Sequence, residues 1–168
     1  MRQHKQLYRH QPDIGIYGDC MRTVYACLLD KESPADVPHF RSDNPPGGVL
    51  WDRVNAWLGQ QGYKDFTVAF PGDTPLHEVL RCMGITNPGI WYMLAGTSRN
   101  KVGHVVICLG DAIAWDTSLD DSGIVAPCED GFWRIEVLVP ISQTTLHRED
   151  GLSMVDVGKW ELGNHIDG

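Results

Sequence analysis

The sequence predicts an α+β fold, with helices first and an antiparallel sheet after them, on three observations. Apolar residues fall at spacings of three and four at Met21, Val24, Tyr25 and Leu28, and again at Leu50, Val54, Trp57 and Leu58, the stripe of a helix buried on one face. Beyond Asn87-Pro88-Gly89 the helical spacing gives way to short strand-like runs separated by turn residues. Helical and extended segments are therefore grouped rather than alternating, which implies segregated layers instead of parallel βαβ units.

The elements follow in chain order. Residues 1–17 form an extended lead-in that ends at the turn-prone Gly15 and Gly18. A helix runs from Asp19, a suitable N-cap, to about Leu29, until Ser33-Pro34 breaks the pattern. Val37-Pro38-His39-Phe40 is extended and Asn44-Pro45-Pro46-Gly47-Gly48 is a loop. A second helix spans about Val49 to Gln60 and stops at Gly62, and Phe66 to Phe70 alternates as a strand. Thr74-Pro75 opens a short helix from about Pro75 to Met83, by the pairing of a capping residue with proline at the first helical position. Four strands then form a meander: Ile90–Ala95, Gly103–Leu109, Ala112–Thr117 and Trp133–Val139. Residues 1–145 make one domain and 146–168, weakly periodic and rich in charge and glycine, make a loosely attached tail.

Composition narrows the function classes. With a formal net charge of −8 and only 14 Lys and Arg among 168 residues, no basic stripe is available for a phosphate backbone, so nucleic acid is not expected as a partner. No apolar run approaches the roughly 18–20 residues that span a bilayer, so no membrane role is expected. The polar start Met1-Arg2-Gln3-His4-Lys5-Gln6 does not read as an export signal. Five cysteines at irregular spacings, without a C-x-x-C, do not form a disulfide framework. A cytoplasmic protein with mostly buried thiols is the expectation.

One cysteine differs in its setting. Cys20 directly follows Gly18-Asp19 at the start of the first helix. There, free backbone N–H groups and the positive end of the helix dipole favour the nucleophilic thiolate. Cys27, two turns on, is assigned to packing. His104, behind Gly103 at the head of an otherwise apolar strand, is the candidate general base, with His39 as its rival. Asp116, on the next strand, is the candidate orienter of the imidazole. Gln11 and the backbone N–H of Cys20 are the candidate oxyanion donors, with Gln3 and Gln6 set aside as remote along the chain. Asp19, Trp91 and Gly103 are assigned to substrate contact; Gly103 leaves room beside the histidine, and Trp91 is one of several aromatics that suit a cleft.

Strand geometry supplies a check. Side chains alternate faces, so His104 and Asp116 share a face only if the hairpin between Leu109 and Ala112 has an odd number of loop residues. A two-residue Gly110-Asp111 turn would separate them.

The ordered set Cys20, His104, Asp116 resembles the papain-like cysteine hydrolases, especially the small bacterial peptidase C39-like group. In that group a glutamine precedes a helix-capping cysteine, and histidine and aspartate lie on neighbouring strands. The chain is also similar to small bacterial and phage proteins of that superfamily in its Gly-Asp-Cys helix ending in Leu28-Leu29, its Val37-Pro38-His39-Phe40 segment, its tryptophan-bearing helix, and Tyr92 through Gly96 to Ser98. The resemblance covers roughly residues 11–126. It implies a papain-like fold, Cys20 as nucleophile, His104 as base, Asp116 as orienter and Gln11 as oxyanion donor. Two departures concern the pocket: Ala26-Cys27 is slightly displaced in the helix, and Asp116 is followed by Thr117-Ser118 rather than by proline.

The leading expectation is a thiol hydrolase (peptidase, isopeptidase or amidase) that passes through a thioester acyl-enzyme and needs no cofactor, with a peptide or protein as substrate. An acyltransferase would use the same residues. A different class is a binding or inhibitor module on the same scaffold, of the kind a phage deploys in its host's cytoplasm. A zinc site drawn from Cys20, His39, His104 and Asp116 is a weaker option, because no pair has recognised ligand spacing. No pattern in the chain specifies an oligomeric state.

Overall fold

A computed structural model describes residues 1–41 and 50–141. The predicted loop at Asn44–Gly48 and the predicted tail from 146 lie outside them. Three helices, α1 (Cys20–Leu28), α2 (Leu50–Gln60) and α3 (Leu76–Thr86), accompany five strands: β1 (Tyr63–Pro71), β2 (Trp91–Thr97), β3 (Gly103–Leu109), β4 (Ala112–Asp116) and β5 (Phe132–Pro140). The fold is α+β, and every strand pairing is antiparallel. Element boundaries agree with the sequence reading to within a few residues, and α3 runs three residues past its predicted end.

The sheet is not the simple meander expected. Its order is β1-β5-β2-β3-β4, so the last strand inserts between the first two. β5 pairs with β1 from Tyr63↔Pro140 to Pro71↔Phe132, and with β2 through Met93↔Glu136 to Ala95↔Arg134. The long return between β4 and β5 makes this possible. It is tied to the end of β2 where Thr97 N donates to the Ala126 carbonyl at 2.7 Å.

Helices cover both faces of the sheet. Val24, Tyr25, Ala26 and Cys27 of α1 and Val54 and Leu58 of α2 pack with Met93 and Ile107 on one face. Val79 and Met83 of α3 pack with Tyr92, Leu94, Val106, Cys108 and Ile135 on the other. A strand buried on both sides reads as a continuous apolar run rather than as an alternation, which is why Val105-Val106-Ile107-Cys108-Leu109 shows no polar face. Both faces of β3 are therefore core, with Ile107 in one cluster and Val106 and Cys108 in the other. α1 is buried continuously from Arg22 to Cys27, as befits a helix enclosed between the sheet and the segment at Val37 and Phe40. Among the described residues no helix is long and apolar enough to cross a membrane.

The 1–19 segment is more than an extended lead-in. Residues 11–16 form a small closed loop, with Gln11 N donating to Ile16 O at 2.8 Å and Ile16 N to Gln11 O at 3.1 Å. Pinching off that loop brings the chain back on itself, so that Gly18 N donates to His10 Nδ1 at 3.2 Å. Residues 4–8 consequently lie between the start of α1 and the end of β4.

Candidate active site

Cys20 is the first residue of α1 and is half-buried. The expected N-cap residue, Asp19, makes no side-chain cap. The role falls instead to Gln6: with its side-chain oxygen turned toward the helix, Oε1 accepts from Cys20 N at 3.0 Å and Asp19 N at 3.2 Å. These N–H groups have no partner within the helix.

His104 is buried, with 6% of its surface exposed. Its Nε2 lies 2.7 Å from Asp116 Oδ1, and Cys20 borders the same cleft, near enough to influence the ring's protonation. Since Nε2 is committed to the carboxylate, Nδ1 is the nitrogen left for the sulfur. Burial by itself would lower the imidazole's proton affinity, but the hydrogen bond to Asp116, and Cys20 nearby, push its pKa up to about 9. Burial would equally oppose ionisation of Asp116. Donation from His104 and from the backbone N–H groups of Ser118 and Gly123, 2.8 Å each, instead holds its carboxyl well below the usual carboxylate range.

The register that joins these two side chains comes from an unexpected source. The hairpin has the two-residue turn that should separate them: Leu109 pairs directly with Ala112, and Gly110 supplies the positive φ of 58° that the first central turn position requires. Cys108 then pairs with Ile113 but Ile107 with Trp115, so Ala114 is an extra residue, a β-bulge. The slip places Asp116 opposite Val106. His104, two residues before Val106, therefore shares its face with Asp116, a diagonal cross-strand neighbour. In an unbulged ladder Asp116 would sit opposite Val105, on the other face.

A loop completes the carboxylate's surroundings. Asp116 Oδ1 accepts from Ser118 N and Oδ2 from Gly123 N, while Ser118 Oγ accepts from Ser122 N at 2.9 Å. Gly123 adopts φ 61°, a conformation costly for other residues. All four lone-pair directions of a carboxylate cannot be filled from strands alone, and this turn supplies two of the donors.

Cys20 and His104 border a cleft of about 800 Å³, whose walls also include Gln6, Ser98, Gly103 and Leu119. Gly103 borders the cleft beside His104, where a Cβ would meet nothing within 4 Å. His39 also borders the cleft, but its Nε2 lies 3.1 Å from the Tyr17 carbonyl, and it is His104 that meets Asp116.

Three assignments change. Gln11 sits at the neck of the 11–16 loop, exposed and on the rim of the cleft, while Gln6 holds the position at the Cys20 N–H. Distance along the chain misled, because the pinched loop removes those residues from the path. Trp91 is at the opposite end of β2: it pairs with Leu109, whereas Gly96 pairs with His104. Five residues at ~3.3 Å each put it about 16 Å from the histidine, and it is not among the residues that line the cleft. Asp19 has a side chain with no solvent exposure, and its oxygens are taken by Leu7 N, Tyr8 N and Arg22 Nε at 3.2, 3.0 and 3.0 Å. Its carboxylate is therefore spent within the protein rather than presented to substrate.

Among the described residues no group of three or more His, Cys, Asp and Glu is arranged to hold a metal ion. Comparison of the chain with protein-family models, curated proteins and solved structures finds no match.

Proposed function

We propose that the protein is a papain-like cysteine hydrolase that cleaves an amide, isopeptide or thioester bond in a peptide or protein. The observation that carries this reading is a buried imidazole held 2.7 Å from a carboxylate on a cleft it shares with a thiol at a helix N-terminus. A nucleophile, a base and an orienter of the base are the parts that acyl transfer needs.

The chemistry follows from those groups. The thiol proton of Cys20 passes to His104 Nδ1, and the sulfur attacks the acyl carbon, forming the S–C bond. The carbonyl electron pair moves onto oxygen. The backbone N–H of Cys20 is one donor for that oxyanion, and a half-turn of the Gln6 amide presents Nε2 as a second. The imidazolium, stabilised by Asp116, gives its proton to the leaving amine as the C–N bond breaks. Water, deprotonated by the same imidazole, then releases the acyl product and restores the thiol.

The test is alkylation with iodoacetamide followed by mapping of the labelled cysteines. Cys20 is expected to react at least tenfold faster than Cys27, Cys82, Cys108 and Cys128, and His104→Ala is expected to abolish that advantage. Equal labelling of several cysteines, unaffected by His104→Ala, overturns the proposal.

A further inference from the structure

Residues 4–8 cross the gap between the two halves of the candidate triad and are fastened at both ends. On the strand side, Trp115 Nε1 donates to the His4 carbonyl at 2.8 Å, Lys5 Nζ to the Asp116 carbonyl at 2.9 Å, and Gln6 N to the Thr117 carbonyl at 2.8 Å. On the helix side Cys27 Sγ accepts from His4 N at 3.3 Å at one end of the strap, and at the other Asp19 takes Leu7 N and Tyr8 N with its two oxygens. Arg22 holds Asp19 Oδ2 from within α1 at 3.0 Å, and its guanidinium lies 5.5 Å from the centre of the Tyr8 ring.

Apolar burial does little to hold this end of the strap, because Leu7 and Tyr8 are 46% and 47% exposed. The carboxylate, with no exposure at all, is what sets their position. Gln6 is the residue between the two fastenings. Its side-chain amide reaches the Cys20 N–H only while the backbone on either side is held, and a displacement of about 1 Å is enough to spoil donors aimed at a developing charge.

We propose that Asp19 is a positioning residue: its carboxylate pins the 4–8 strap to the N-terminus of α1 and so sets the Gln6 amide beside the Cys20 N–H, building the oxyanion site. The inference rests on the hydrolase reading and extends it. Asparagine in place of Asp19 keeps the shape but offers one acceptor where two backbone donors point. One of them is lost and the strap loosens at Gln6.

Two probes of the full-length protein separate this role from others. Iodoacetamide alkylates sulfur by displacement of iodide and develops no oxyanion. p-Nitrophenyl acetate acylates sulfur through a tetrahedral oxyanion, with the S–C bond formed, the C–O bond broken and p-nitrophenolate released. Asp19→Asn is expected to slow acylation at least tenfold and leave alkylation within twofold of wild type. In a Gln6→Ala background the same change is expected to have no further effect on acylation, since the group it positions is gone. Should Asp19→Asn lose the fold by stranding buried Arg22, Asp19→Asn with Arg22→Gln removes both charges and is read in the same way. Wild-type acylation in the Asp19 variant, or an equal slowing with and without Gln6, overturns the positioning role while leaving the hydrolase reading intact. Unselective alkylation of the wild-type protein overturns the hydrolase reading itself, and the positioning role with it.

Discussion

Replacing His104 by glutamine should erase a pH dependence of stability whose size the structure sets. Folding raises the imidazole from 6.5 to about 9, so the folded state favours the protonated ring. At ~1.4 kcal/mol for each tenfold change in proton affinity, this is worth ~3 kcal/mol. Solvent screening takes little from it, because the ring is buried. The sign follows from the direction of the shift: the stabilisation is complete below pH 6.5, declines through the neutral range, and is gone once pH has risen through about 9. Asp116, shifted the opposite way, contributes a stabilisation that is lost only as pH falls below the ordinary carboxylate range, outside this window. Urea unfolding of wild type and His104→Gln at pH 6 and pH 10 measures the effect, and taking the difference cancels every group that titrates in both. The wild-type advantage should shrink by ~3 kcal/mol between the two pH values, a midpoint change of about 1–2 M at the slopes usual for such domains. A difference that stays flat across pH 6–10 would show that His104 is not held as an imidazolium between Cys20 and Asp116, and would refute the reasoning.

Deleting Ala114 removes the extra residue and leaves a regular ladder in which Ile107 still pairs with Trp115 and Val106 with Asp116; selective alkylation of Cys20 is expected to survive the deletion, and its loss would show that the bulge does more than set the register. Glu136, whose carboxyl is raised from 4.5 to about 7 first by burial and then by Asp65, is favoured in its neutral form by the fold. Its stabilisation is complete below pH 4.5 and lost as pH rises through 7, so Glu136→Gln should stabilise the protein by ~3 kcal/mol at pH 8.5 and scarcely at pH 4.5, read as a rise in urea midpoint. Leu58, fully buried between α2 and the sheet, should cost about 2–5 kcal/mol as alanine, by the loss of transfer energy and the cavity left behind.

The places where sequence reasoning failed share one cause. Gln6 was set aside because fourteen positions separate it from Cys20, yet the 11–16 loop closes on itself and cancels much of that separation. Asp19 looked like a helix cap and a substrate contact, but its oxygens are taken by Leu7, Tyr8 and Arg22. Trp91 suited a cleft by its chemistry, and only its pairing with Leu109 reveals that it stands at the far end of the strand. Each error concerned who meets whom across the chain, not what a residue is able to do.

What the sequence by itself determined is what local physics encodes. Apolar spacing, a capping residue with proline, and turn residues defined three helices and five strands close to where they lie, Gly18-Asp19-Cys20 marked a thiol at a helix start, and the order Cys20, His104, Asp116 supplied candidate roles. Tertiary structure alone decided that β5 inserts between β1 and β2, that α3 covers the second face of the sheet, and that Gln6 comes to the Cys20 N–H. It also decided the register: a turn that should part His104 from Asp116 is corrected by one extra residue at Ala114. A bulge of that kind leaves no periodic mark, because it is chosen by the packing of both faces at once, and no stretch of sequence records what lies on the other side of a sheet.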